Sequence, residues 1–285
     1  MAELLKGKPV ADALTEKCRE KAAELKEKGI VPTLAIIRCG EDPSDLSYER
    51  GAMKRCESVG VEVRNVVMPR DVEPEEFYKM VKQISDDPQI HGILMFRPLP
   101  KQLDAITARE LMNPAKDVDG CTQGSMTGVY TNTKQGFAPC TAQAVIEIFD
   151  YYGIELSGKN AVLIGRSLVV GKPLAMLMLN RNATVTICHT RTKDLPEITK
   201  KAEIVVTAIG VPEKFGAEYF SEGQIAADVG ISWNETKQKL TGDIFFEEAE
   251  PVVSKITPVP GGVGSVTTAV LVSHVIEAAQ RLNGF

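Results

Sequence analysis

The stretch Gly165-Arg166-Ser167-Leu168-Val169-Val170-Gly171 holds residue types and spacing suited to binding a phosphate. It follows an apolar run at 161–164 and precedes a helical stretch at 174–179. In a strand–glycine loop–helix sequence, glycine lets the backbone turn tightly and come close to a phosphate. The helix N-terminus then offers free amides to that anion. The G-x-G-x-x-G spacing is absent, so the loop alone equally fits a turn whose glycines serve packing. The next apolar run, 183–188, ends in His189-Thr190-Arg191-Thr192. In a dinucleotide fold this tip meets the adenosine ribose, where NAD-selective enzymes often carry an acid. Here the tip is polar and basic, and Arg166 belongs to the neighbouring loop. Arginine suits a ribose 2′-phosphate through forked hydrogen bonds. The expected cofactor is therefore NADP, with NAD as the alternative; Arg191 as a solvated loop charge is the plainer reading.

These loops need a scaffold. Strand-like runs at 34–37, 61–67 and 92–96 alternate with helical stretches at about 10–28, from 42, and at 74–85. A second series follows, with strands at 161–164, 183–188, 203–208 and 224–229. Such alternation predicts an α/β fold with mainly parallel sheets covered by helices. Asp42-Pro43-Ser44 has the residues of a helix start. The segment 112–138 is weakly periodic and reads as an ordered functional loop or a domain connection. The chain closes with a glycine-rich turn at 260–264 and a last helix through Leu282.

Composition narrows the function classes. The chain has 285 residues and a net charge of -5, with no sign of a general nucleic-acid or membrane-surface binder. No run approaches the roughly 18 apolar residues of a membrane span. The N-terminus lacks the pattern of a secretory signal. Six scattered cysteines with no CxxC pair suit reduced thiols and a cytoplasmic location. With only three histidines, a His-rich metal site is not expected.

Further motifs extend along nearly the whole chain. They are Glu41-Asp42-Pro43-Ser44 with Tyr48, Gly92-Ile93-Leu94, Pro98-Leu99-Pro100, Lys116-Asp117-Val118-Asp119-Gly120, Pro139-Cys140-Thr141, Gly165-Arg166-Ser167, Asp228-Val229-Gly230-Ile231 and 257–264, Thr-Pro-Val-Pro-Gly-Gly-Val-Gly. In this order and spacing the chain resembles the methylenetetrahydrofolate dehydrogenase/methenyltetrahydrofolate cyclohydrolase family of the FolD type. The resemblance implies a folate domain (1–140 and 265–285) and a Rossmann-like NAD(P)-binding domain (141–264), the last helix returning to the first domain. It also implies a homodimer, with substrate held against nicotinamide in the cleft between domains. Tyr48 and Asp119 are the implied catalytic residues. Tyr48 would stack on the folate, and Asp119 would accept hydrogen bonds from the amino-substituted pterin. Met95, Phe96, Pro260, Gly261 and Gly264 complete the implied substrate contacts. Gly165, Arg166, Ser167, Gly171, His189, Thr190, Arg191, Ile231 and Thr267 are the implied cofactor contacts.

Two positions depart from the family pattern. Bifunctional members carry a lysine four residues after the tyrosine, on the same helix face; here it is Ala52. They also carry a supporting glutamine before the Pro-Leu-Pro segment; here it is Phe96. Lys54 lies about 200° around the helix from Ala52 and reads as a surface lysine. Dehydrogenation needs no obligatory proton transfer, whereas cyclohydrolysis does, and a tuned lysine suits that task. The expectation is retained dehydrogenase and weak or absent cyclohydrolase activity. One alternative is a bifunctional enzyme in which Arg97, Arg50 or Lys54 replaces the lysine. Another is a non-catalytic folate- or nucleotide-binding homologue.

Overall fold

The computed structural model describes all 285 residues, Met1–Phe285. In chain order the elements are β1 (Glu3–Leu4), α1 (Gly7–Glu27), β2 (Thr33–Cys39), α2 (Pro43–Val59), β3 (Glu62–Met68), α3 (Pro74–Asp86), β4 (Gly92–Met95), α4 (Ala105–Glu110), α5 (Gln123–Thr131) and α6 (Cys140–Tyr151). Then come β5 (Asn160–Ile164), α7 (Gly171–Leu179), β6 (Thr184–Cys188), α8 (Leu195–Thr199), β7 (Ile204–Thr207), β8 (Ile225–Asp228), β9 (Ser232–Asn234), β10 (Lys239–Thr241), α9 (Phe246–Ala249), β11 (Lys255–Ile256) and α10 (Thr267–Leu282). The chain divides into two compact units, Asp12–Cys140 with Thr268–Phe285, and Met1–Ala11 with Thr141–Thr267.

The first unit is built on a three-stranded parallel sheet ordered β3-β2-β4. β2 sits in the centre, with Ile37 in register with Val66 on one side and Met95 on the other. Alternation turns Ala35, Ile37, Ile93 and Met95 into one core with Phe77 and Val81 of α3. Leu34, Ile36, Leu94 and Phe96 therefore belong to the opposite face. α2 starts where Asp42 accepts the Ser44 amide at 2.9 Å. It stops at Gly60, whose left-handed φ of 79° lets its amide close on Cys56 and Glu57. Its buried stripe is Glu49, Ala52, Cys56 and Val59.

The second unit carries a six-stranded parallel sheet ordered β1-β11-β8-β7-β5-β6. β9 and β10 form a separate antiparallel hairpin. The alternation of strand and helix around β5, β6 and β7 is that of a dinucleotide-binding fold.

One expectation needs correction. The 112–138 segment is not all loop: Thr122 caps α5 by accepting the Ser125 amide, and Asn132 ends it in a left-handed conformation. Its amphipathic signal is weak because Gly124 and Gly128 pack closely on Pro114 and Gln135. By contacts, residues 1–11 group with the nucleotide-fold unit. There β1 extends the large sheet by pairing with β11, Glu3 opposite Lys255. A two-residue strand leaves no periodic trace.

Candidate functional site

In the first unit the expected substrate residues gather where β4 ends against α2. Tyr48 of α2 meets Phe96 edge to face, ring centroids 6.0 Å apart and planes at 88°. The next residue, Arg97, reaches Asp119, Nη2 to Oδ2 3.0 Å. Both ends of this pair stay in touch with solvent, at 25% and 22% side-chain exposure. Asp119 is held by its neighbours in sequence. Lys116 is buried and donates to the carbonyls of Ser85 and Asp87. Asp117, fully buried, accepts the amides of Cys121 and Thr122. Gly120 has φ +62°, and a Cβ there would lie 2.4 Å from the Pro139 nitrogen. Desolvation pushes the Asp119 carboxyl above the usual carboxylate range; Arg97 and Cys140 pull it back, and Asp117 adds to the rise.

The two departures fall in this cluster. Ala52 has no exposure at all, so the position points into the protein and not to solvent. Lys54 and Arg50 are both exposed. Met95, expected at the substrate, is 2% exposed and packs in the core with Ile37 and Phe77; strand alternation gives the opposite face to Phe96. Sequence reading missed a buried ion pair, Arg38 Nε to Glu49 Oε2 2.7 Å, each side chain 8% exposed. It ties α2 to β2 beside Tyr48. The available signal was a charge on each of two otherwise apolar surfaces.

In the second unit the expected cofactor residues lie at the C-terminal ends of the parallel strands, where ligands bind in such sheets. Gly165 follows β5 with φ +128°, and a Cβ there would lie 2.4 Å from the Ala208 carbonyl oxygen. A Cβ on Gly171 would lie 2.1 Å from the Gly165 carbonyl oxygen. Both glycines are thus required by close backbone approach, which shapes a cradle at the start of α7. Arg166 and Ser167 on the loop are exposed. After β6, the His189 amide donates to Thr192 Oγ1 at 2.9 Å, and His189 Nδ1 accepts the Arg191 amide at 3.1 Å. This small turn leaves Thr190 and Arg191 exposed with no carboxylate between them. A bare glycine cradle with flanking guanidinium groups fits a phosphorylated dinucleotide. Thr267 is 7% exposed and donates to the Gly264 carbonyl at 3.1 Å, so it braces the turn before α10.

A cavity of about 160 Å³ is lined by 228–231 and 258–265, bringing Ile231, Pro260, Gly261 and Gly264 together. Asp228, from the motif quoted above, is one of its lining residues, and bonded to it is a second buried acid, Asp243, that sequence reading did not single out. Asp243 accepts the amides of Ile209 and Val211, at 2.6 and 2.8 Å. Asp228 accepts the amides of Asp243 and Ile244, at 3.0 and 2.8 Å, and the Thr207 hydroxyl at 3.0 Å. The pair fastens the ends of β7, β8 and β10 to one another. Burial, with Asp243 close by, pushes the Asp228 carboxyl up to about 7, against the pull of its hydrogen-bond donors.

Fold and site together define a two-unit α/β oxidoreductase with a Rossmann-like nucleotide unit. Residues 5–119 match the tetrahydrofolate dehydrogenase/cyclohydrolase catalytic domain, and residues 139–283 match the NAD(P)-binding domain of the same family. The chain belongs to the tetrahydrofolate dehydrogenase/cyclohydrolase family, and it is a tetrahydrofolate dehydrogenase with an NAD(P)-binding domain. The bifunctional protein FolD of Carboxydothermus hydrogenoformans is 51% identical over 285 residues, covering 100% of this chain and 99% of the relative. The structure of the bifunctional FolD enzyme from Campylobacter jejuni superimposes with a TM-score of 0.95 at 36% identity, covering 99% of each chain. The Trypanosoma brucei dehydrogenase–cyclohydrolase, solved with NADP and an inhibitor, gives 0.91 at 31% identity and 98% of each chain.

Proposed function

We propose that this enzyme oxidises 5,10-methylenetetrahydrofolate to 5,10-methenyltetrahydrofolate with NADP, and that its cyclohydrolase activity is weak or absent. The hydride half is supported by Tyr48 and Phe96 as an aromatic platform beside Asp119. Tyr48 presents its ring to the folate, and Asp119 fixes the pterin through its amino-bearing edge. Orientation is most of what this step requires, because the adjacent nitrogen lone pairs stabilise the cation formed. Gly165, Ser167 and Gly171 would hold the pyrophosphate, and Arg166 with Arg191 the 2′-phosphate. The cofactor, when bound, supplies a hydride acceptor. NADP over NAD is supported by the basic, acid-free tip after β6 and matches the cofactor seen in the trypanosomal relative.

The observation that carries the reduced cyclohydrolase reading is Ala52, buried and apolar one helical turn after Tyr48, with Phe96 packed on that tyrosine. Opening the methenyl bridge requires a group that takes and returns a proton. Neither side chain has one. Arg97 is paired with Asp119, and a guanidinium, which only donates, is a poor proton shuttle. The second reading, a bifunctional enzyme, draws on the naming of its relatives, including the 51% identical one, as bifunctional. The test measures methylenetetrahydrofolate oxidation with each nicotinamide, then methenyltetrahydrofolate hydrolysis, in the parent and in Ala52→Lys/Phe96→Gln. We expect oxidation in the parent and hydrolysis at least tenfold faster in the double variant, in line with general acid–base contributions of about 100-fold or more. Equal hydrolysis by both proteins would favour the bifunctional reading.

The same reading includes a homodimer and a cytoplasmic location. The first is supported by exposed apolar residues on and around the β9–β10 hairpin, the second by six scattered cysteines with no CxxC pair. No helix is long and apolar enough to cross a membrane.

A further inference from the structure

We propose that Arg97 is a substrate-binding residue which, paired with Asp119, reads the 2-amino-4-oxo edge of the pterin ring and selects against rings carrying a 4-amino group. The inference rests on the folate reading of this unit and adds a specificity determinant to it.

The argument starts from what the two side chains present. Asp119 offers acceptors and Arg97 offers donors, and the 3.0 Å contact between Nη2 and Oδ2 holds them side by side. Neither is sealed in: 25% and 22% of the two side chains are exposed. A guanidinium carries five N–H donors and a carboxylate about four acceptor positions. The ion pair, together with the Cys140 thiol and amide near Asp119, uses only part of that capacity. Arg97 is also placed relative to the platform. It directly follows Phe96, whose ring packs on Tyr48, and the Phe96 amide donates a hydrogen bond to the Ile37 carbonyl at 3.0 Å. Ring platform, donor and acceptor therefore form one continuous cluster.

A 2-amino-4-oxopterin presents, along one edge, an amino group, a ring N–H and a carbonyl oxygen. The first two are donors and the third is an acceptor. A carboxylate takes the two donors, and an adjacent guanidinium takes the oxygen. Replacing the oxygen by an amino group sets donor against donor at Arg97. A site that hydrogen-bonds a substrate group discriminates strongly against an analogue that cannot complete the bond. Asp119 contributes to the distinction, because the 4-amino ring keeps the 2-amino group but lacks the ring N–H; only Arg97 reads the group at position 4 itself. An Arg97 that served only to neutralise Asp119 would weaken both ligands alike on removal.

The test uses the full-length enzyme and two probes, tetrahydrofolate and its 4-amino-4-deoxy counterpart, with dissociation constants measured by calorimetry. The variants are Arg97→Leu, Arg97→Gln and Arg97→Lys, each checked for native circular dichroism. We expect the preference for the 4-oxo over the 4-amino ligand to fall by about tenfold or more in Arg97→Leu. Arg97→Gln, whose amide both donates and accepts, should lose the preference as well, and Arg97→Lys should keep part of it. The KM for NADP should stay within about twofold throughout. An unchanged preference in Arg97→Leu and Arg97→Gln overturns the proposal, as does a proportionate loss of both ligands. Failure of the parent to bind either pteridine would instead overturn the folate reading itself, a distinguishable result.

Discussion

Arg191 stands on a turn closed by its own amide, which donates to His189 Nδ1 at 3.1 Å. The side chain is exposed beyond β6, where a ribose 2′-phosphate would lie. A charge-assisted hydrogen bond contributes about 1.5–3 kcal/mol, roughly a factor of 10–100 in binding. Arg191→Glu should therefore lower kcat/KM with NADP relative to NAD by about 10–100-fold and leave the KM for the folate within about twofold. Steady-state assays with the two nicotinamides check this, and an unaltered ratio would return Arg191 to the status of a solvated loop charge. At this scale residue type was legible, but partnership was not. The acid-free tip and the replacement of a lysine by Ala52 can be read directly from the chain. The contact from Arg97 to Asp119 spans 22 residues, and the one from Arg38 to Glu49 joins a strand to a helix. Such pairs depend on which neighbours the fold supplies.

Helices and strands were legible where one face is buried and the period is clean, as in α2 with its Asp42 cap and Gly60 stop. They were hidden where elements are short or glycine-rich, as in β1 and α5. The burial of the acids at the strand ends was hidden for another reason. Asp228 closes an apolar strand and reads as a loop start, yet it is 3% exposed and accepts three hydrogen bonds. Its carboxyl is pushed up to about 7 by burial, whereas an unfolded aspartate titrates near 3.9. Between these values the native chain holds a proton that the unfolded chain has lost. The contribution to stability is full below about pH 4 and disappears as pH rises through 7. At about 1.4 kcal/mol per unit, the whole effect is at most roughly 4 kcal/mol. Denaturant unfolding from pH 5 to 8 should show stability falling in the parent, and Asp228→Asn should flatten that slope. Parallel slopes in the two proteins would remove Asp228 as the titrating group.

At the scale of the whole molecule the family was legible because its motifs recur in order along nearly the full chain, but the assembly was only implied. The proposed homodimer can be argued from the exposed apolar residues near the hairpin. Ile209, Val211, Ile231, Trp233 and Leu240 are 37%, 44%, 52%, 50% and 43% exposed. Trp233 and Leu240 sit opposite each other on the hairpin, and Ser232 Oγ donates to the Gly210 carbonyl at 3.1 Å, joining the hairpin to the 209–211 loop. Exposed apolar patches, where large and contiguous, mark interaction surfaces. A two-stranded hairpin is also marginal by itself and gains from a further covering layer. If a second copy covers this surface, a buried charge on it is costly. Trp233→Glu with Leu240→Lys should then convert a dimer of twice the 31.0 kDa chain mass to a monomer, read by light scattering after size-exclusion chromatography. Loss of the dimer with native circular dichroism would place the interface on the hairpin. A dimer that persists in the double variant would move it elsewhere, and a parent that runs as a monomer would remove the homodimer from the proposed function.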